Sequence, residues 1–296
     1  MRYGLCLPNF TGLASTHAID EAADAADRLG YESVWTTDHV LVDASAAAAD
    51  YRVTFDAIET LAWVGARHPR LLLGTSVIVV PQRNAVILAK ELATLDALSS
   101  GRLIAGLGIG WSETEFANLG AADRFHVRGA YLDEAIALWR HLWSGSTEPF
   151  DGRFHPLRDF SFGPLPAQRS SVPIWIGGRA EAALRRTGRL ADGYQATSTD
   201  PAAFKARVPA IQAAAHDAGR PMPTLSARVR VSFGDEPESS GARPYALRGT
   251  PEQMRDEIDR WSDVGVEQLS VWFGGDSLDA FTAAAERFAR EVAELG

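Results

Sequence analysis

The chain has 296 residues, with 29 basic and 38 acidic side chains, a net charge of -9 and 46% hydrophobic residues. The acidic balance argues against a general nucleic-acid binder, which needs a basic surface, and the apolar fraction is that of a globular protein, not a disordered one. No apolar run approaches the roughly 20 residues that cross a bilayer, and a lone cysteine, Cys6, rules out an internal disulfide. With no apolar secretory segment after Met1, a cytoplasmic setting is expected, with Cys6 a small buried strand residue.

Residues 2–7 read as a first strand closed by Pro8-Asn9, and 16–29 carries apolar and alanine positions at helical spacing up to Gly30. Residues 33–36 form a second strand, with Thr37-Asp38-His39 at its carboxyl end. A long Ala-rich, acidic connection over 41–52 follows and is expected to be mobile. Next come a helix over 54–66, a buried strand over 71–79, a helix over 85–98 and a fourth strand over 103–107. Beyond a short acidic stretch at 113–116, an apolar stripe through Tyr131, Leu132, Ile136 and Trp139 predicts the longest helix, 127–143. A hairpin around Asp151-Gly152 and a Pro-rich return over 163–173 make an insertion.

Residues 174–176 then give a fifth strand and 180–190 a helix. The sixth strand, 194–196, precedes a helix over 201–218, and the seventh is 224–232. A polar, Gly/Pro-rich surface excursion follows over 235–248. Thr250 and Pro251 open a helix to Asp263 as cap and first-turn proline, 268–273 is an eighth strand, and 277–295 a last helix. Strands and helices alternating in this way predict a (β/α)8 TIM barrel, with insertion segments at the carboxyl-terminal face of the strands, in one domain over 1–296. A doubly wound sheet is the alternative. In a barrel the chemistry belongs at the carboxyl ends of the strands.

Three strand ends carry candidate chemistry. His39 can hold or pass a proton near neutral pH, with Asp38 beside it. On the fourth strand Gly106, Gly108 and Gly110 alternate onto one face and leave it bare, so that something flat could lie there; tight packing of barrel layers is the plainer reading. After the fifth strand, Gly177-Gly178-Arg179 leads into a helix start whose free N–H groups suit a phosphate, and Arg179 stands nearest to it. The histidines show no ligand spacing, so no metal site is expected.

Together these segments resemble the bacterial luciferase-like monooxygenase superfamily, in its branch using coenzyme F420, a deazaflavin. The resemblance runs from Tyr3 to about Phe288. It is most specific at Gly101-Arg-Leu through Gly108-Ile-Gly-Trp111, at Arg128-Gly-x-Tyr-Leu-Asp-Glu-Ala-Ile136 and at 173–193. It implies a cofactor ring in the barrel mouth contacted by Asp38, His39, Ser76, Val77, Ile109 and Gly110. It also implies a phosphate at Gly177, Gly178 and Arg179 with Thr197 near it, and a cis peptide at Ser76-Val77. The flavin-using luciferases carry an arginine where Ile109 stands here, which favours F420 over FMN. In the branch's sugar-phosphate dehydrogenases a glutamate and a tryptophan stand where this chain has Trp111 and Asp43, and a lysine where it has Asp200. A glucose-6-phosphate substrate is therefore not expected, and Trp111 points to a more apolar pocket.

The expectation is an oxidoreductase passing a hydride between F420 and a small organic substrate, with His39 as the catalytic residue and Asp38 orienting it or binding the ring edge. The alternatives are an FMN-dependent two-component monooxygenase and a non-catalytic cofactor-binding barrel. The family also implies a homodimer.

Overall fold

In the computed structural model, which describes residues 1–234, 245–275 and 277–295, the apolar runs become strands β1 (Arg2–Cys6), β2 (Ser33–Thr36), β3 (Leu72–Thr75), β4 (Leu103–Gly108), β5 (Ile174–Gly177), β6 (Gly193–Thr197), β7 (Thr224–Phe233) and β8 (Gln268–Phe273). Each pairs in parallel with the next, and β8 pairs with β1, so the described strands close into the expected (β/α)8 barrel. Side-chain alternation then sorts the sequence into two cores. Leu5, Val34, Leu73, Ile176 and Val229 face outward into the helix layer. Cys6, Trp35, Ile104 and Trp175 fill the interior, where the Trp35 and Trp175 rings stand 5.3 Å apart.

The helices are α1 (Thr16–Arg28), α2 (Ala57–Gly65), α3 (Ala85–Leu98), α4 (Glu113–Asn118), α5 (Arg128–Trp143), α6 (Glu181–Leu190), α7 (Pro201–Lys205), α8 (Val208–Asp217), α9 (Pro251–Asp263) and α10 (Leu278–Arg287). Ser15, Asp56, Asn84, Thr250 and Ser277 cap five of them by accepting first-turn N–H groups.

Several segments differ in detail from the expectation. The second helix starts at Ala57, not Thr54, because Thr54 bridges to Phe10 and Asp56 is the cap. The helix expected over 201–218 divides into α7 and α8, with Pro209 in the first turn of α8, where its missing N–H is harmless. Past Arg287 the last helix widens into a π-turn over Phe288–Val292. The 41–52 connection contains a 3-10 turn, Ala46–Tyr51, and Thr11 N–H donates to the Asp50 carbonyl at 2.9 Å. Of the excursion expected over 235–248, residues 235–244 lie outside the described residues, while Ala246–Gly249 extends the sheet by pairing with Arg230–Phe233 of β7.

The third strand breaks at Ser76-Val77, whose peptide is cis, and resumes as Ile78–Val79 alongside Leu107 and Gly108 of β4. This break occupies the glycine face expected to be bare. A Cβ on Gly106 would lie 1.8 Å from the Thr75 carbonyl oxygen, one on Gly108 2.5 Å from Val77 Cγ2, and one on Gly177 3.1 Å from Val77 Cγ1. The glycines therefore admit the neighbouring strand, which is the close backbone approach that strand glycines often mark. Gly106→Ala is expected to cost about 2 kcal/mol or more through overpacking, read as a fall in the urea midpoint. Gly12→Ala, whose Cβ would meet nothing within 4 Å, serves as the unchanged control.

Candidate active site

The loops after β1 and β2 are joined by Asn9, which is fully buried. Its amide donates to the carbonyls of Thr37 and Phe55 at 2.8 and 3.0 Å and accepts from Thr37 N–H at 3.0 Å. Asp38 and His39 follow directly, and their side chains leave in different directions. The Asp38 carboxylate accepts from Val79 N–H at 3.0 Å and from the Arg83 guanidinium at 2.6 Å. Burial pushes its carboxyl up against the opposing pull of Arg83. Arg83 also reaches Asp56 at 3.2 Å. Asp38 therefore fixes the chain after the β3 break; it does not orient His39.

That task falls to Glu115 of α4. Its Oε2 lies 3.0 Å from His39 Nδ1, and its Oε1 accepts from Val40 and Leu41 N–H at 2.9 and 3.1 Å. The pair is enclosed, with 7% of the His39 side chain and 1% of the Glu115 side chain exposed. Burial works to raise the Glu115 pKa, but hydrogen bonds from His39 and Val40 N–H prevail and hold the carboxyl at about 2. An ionised carboxylate only accepts, so Nδ1 is the donor and Nε2 is the ring nitrogen left for chemistry. The His39 ring packs on Tyr51 at 4.4 Å and meets Trp111 edge-on at 5.8 Å between centroids. With Leu41, Tyr51, Arg52 and Thr54 it lines a cavity of about 310 Å³.

Glu115 was legible only as part of Ser112-Glu-Thr-Glu115, a capping-box pattern. Ser112 does cap α4, accepting from Glu115 N–H at 3.3 Å. The glutamate side chain, however, leaves the helix for His39.

Ser76 is 5% exposed, and its Oγ has no hydrogen-bond partner among the described residues. Val77 sits against β4 and β5 as described above. Ile109 is half-buried, and Gly110 has φ +76°, with Val79 and Phe116 where a Cβ would point. Beside Val77, Gly177 ends β5 and Gly178 takes φ +138°, a conformation that favours glycine. Ala180 then opens α6 without a side-chain cap. Of the arginines there, Arg185 pairs with Glu181, and Arg186 and Arg189 with Asp133. Arg179 is exposed and has no carboxylate partner among the described residues. Thr197 is exposed at the end of β6, in register with Arg228 of β7. His39 and Ser76 thus follow β2 and β3, Val77 reaches over β4 to Gly177 at the end of β5, and Gly178, Arg179 and Thr197 continue the mouth from there.

The chain is a parallel TIM barrel with these groups at the carboxyl ends of its strands, the face where barrels of this class place their chemistry. The sequence profile of the luciferase-like monooxygenase family matches residues 1–291, and the chain belongs to that family. It is 33% identical over 207 residues to the F420-dependent glucose-6-phosphate dehydrogenase of Mycolicibacterium fortuitum, a match covering 66% of this chain and 61% of that protein. This is less than two thirds of the relative's length. The protein of the same name from Nakamurella multipartita is 32% identical over 279 residues, 88% of this chain and 79% of its own. An F420-dependent secondary alcohol dehydrogenase, solved with an F420-acetone adduct, shares the fold with a TM-score of 0.83 at 18% identity, over 100% of this chain and 99% of that one.

A carboxyl held at about 2 against an ordinary 4.5 lends stability that is complete above pH 4.5 and drains away as pH falls toward 2. Glu115→Gln is expected to lower stability at pH 7 by on the order of 2–3 kcal/mol, with the difference from the unsubstituted protein shrinking below pH 4. Urea unfolding of both proteins across pH 3–7 measures this.

Proposed function

We propose that the chain is a coenzyme F420-dependent oxidoreductase that passes a hydride between the deazaflavin and a small organic substrate, acting as one domain over 1–296, as a homodimer and in the cytoplasm. The observation that carries this reading is His39, fixed through Nδ1 by a buried carboxylate and left with Nε2 as its reactive nitrogen at the barrel mouth. The cofactor names of the relatives support the choice of F420, as does Ile109 standing where flavin-using luciferases carry an arginine.

The residues present fit such a group. Ser76 Oγ is a buried polar atom without a partner among the described residues, and the Gly177-Gly178 turn leads into uncapped N–H groups of α6 beside Arg179, a setting that suits a phosphate. Ser76, Val77, Ile109, Gly110 and the backbone after Asp38 would hold the ring, with Gly177, Gly178, Arg179 and Thr197 holding the phosphate. When bound, the deazaflavin supplies the carbon that gives or takes the hydride. His39 holds the compensating proton at Nε2, Glu115 keeps that nitrogen aimed, and Trp111 and Leu41 give the substrate apolar surface beside it.

Titration of the free protein with F420 and with FMN, followed by tryptophan fluorescence, is expected to show tighter binding of F420; tighter FMN binding overturns the cofactor assignment. His39→Ala should retain F420 affinity within about twofold while losing about 10²–10⁴ in turnover, the usual worth of a proton-transfer group. Unchanged turnover in that variant would remove His39 from the mechanism.

A further inference from the structure

Strand β7 turns Ser226, Arg228 and Arg230 toward the barrel axis, since Ala227, Val229 and Val231 belong to the outer core. Arg228 extends across the mouth and donates to the Ser76 carbonyl on β3 at 3.0 Å. Arg230, one step nearer solvent, makes no hydrogen bond among the described residues. Neither guanidinium has a carboxylate oxygen within 4 Å among those residues, and the Ser76 carbonyl is the one hydrogen-bond acceptor the two have between them. Arg228 is half-buried and Arg230 exposed, and two guanidiniums two positions apart on one strand face favour an anion between them through charge-assisted hydrogen bonds.

An unbroken line of aromatic rings leads from His39 to these two cations. His39 packs on Tyr51 at 4.4 Å, Tyr51 stacks on Phe10 at 5.7 Å, and Phe10 stacks on Trp272 at 5.6 Å. Arg228 lies 5.2 Å from the Phe10 centroid and Arg230 5.4 Å from that of Trp272, within cation–π range. On the His39 side Val40, Leu41, Val53, Phe55 and Trp111 are 38% to 52% exposed, beside a cavity lining in which Asp43 and Arg52 are the charged members. Clustered exposure of large apolar side chains marks a binding surface.

We propose that this stripe is the substrate subsite, and that the substrate is a largely apolar molecule carrying a carboxylate, its apolar body against the Leu41–Trp111 rim near His39 and its carboxylate on Arg228 and Arg230. The inference rests on the hydride-transfer reading above for the role of the bound molecule, but not for its binding. Guanidinium forks match planar carboxylates bidentately, and the aromatic faces beneath them hold the forks in place. A sugar phosphate would satisfy the cations and leave the apolar rim exposed.

The test is calorimetric titration of F420-saturated and of free protein with 4-phenylbutyrate, its amide 4-phenylbutanamide, and glucose 6-phosphate. The acid is expected to bind about tenfold tighter than the amide, the difference a charge-assisted hydrogen bond makes, and tighter than glucose 6-phosphate. Arg228→Met should bring acid and amide within threefold of each other and leave amide binding unchanged. Arg230→Met, at an exposed position that does not threaten folding, should narrow the gap in the same direction. Acid and amide binding alike in the unsubstituted protein, both variants keeping the full gap, or glucose 6-phosphate binding tightest would each overturn the inference. If Arg228→Met instead weakens F420 tenfold without changing the preference for acid over amide, the guanidiniums serve the cofactor and the substrate subsite is refuted. Failure of F420 to bind the unsubstituted protein ends the cofactor reading alone, because acid and amide are still compared on the free protein.

Discussion

The barrel mouth depends on two consecutive side chains at the end of β2 that reach different neighbours. Asp38 takes the N–H of Val79 and the guanidinium of Arg83, and so secures the chain just past the break in β3. His39 takes Glu115, and through it the short helix after β4. Glu115 returns two bonds to the backbone at Val40 and Leu41, so the loop after β2 is closed on itself as well as on its neighbours. Two buried carboxylates are costly unless each is charge-paired or well supplied with donors. Both conditions are met here, which is why a mouth made largely of loop can hold an imidazole in one orientation.

A steric constraint shapes the other wall. Thr75 to Val77 lies where side chains of β4 and β5 would otherwise stand, and Gly106, Gly108 and Gly177 make that possible. The flat surface offered at this wall is therefore the Ser76-Val77 segment itself, not the glycine strand behind it. A planar ligand at this wall faces the half-buried Val77 isopropyl group, with Gly106 and Gly108 behind it.

The barrel was legible in the sequence because its signals are local and repeated. Apolar strand runs end in turn residues, and helices open on Ser15, Asn84 or Thr250, whose side chains compete for first-turn N–H groups wherever they sit. His39 and the Gly177-Gly178 turn were legible for the same reason, each being a strand end. What the sequence hid were partnerships. Glu115 is 76 positions from His39 and sits in a pattern that already has a sufficient local explanation. Arg228 and Arg230 alternate with Val229 and Val231 on a strand, as charged residues do on any half-exposed sheet. Only barrel closure, which turns that face inward, makes them the exception. Phe10 and Tyr51 belong to loops whose composition carries no periodic signal, and their stacking exists only once Thr54 bridges to Phe10.

The two halves of the mouth differ in how far their polar groups are satisfied, and the difference divides their labour. From β1 to β4 the side chains of Asn9, Asp38 and Glu115 are spent on partners inside the protein, while Ser76 Oγ and the Gln82 amide have no partner among the described residues. Such a network is rigid, and the polar groups it leaves for a ligand are the imidazole nitrogen and the few buried atoms, Ser76 Oγ among them, that it does not use. From β5 to β7 the opposite holds among the described residues: Arg179 and Arg230 are without partners, Thr197 is exposed, and Arg228 uses one bond of its five possible donors. Unspent donors gathered on one side of a cleft raise the affinity for anions there without fixing their shape. Orientation must then come from the satisfied half, so a ligand seated in this mouth is held in place by charge on the β5–β7 side and aligned by packing on the β2–β4 side.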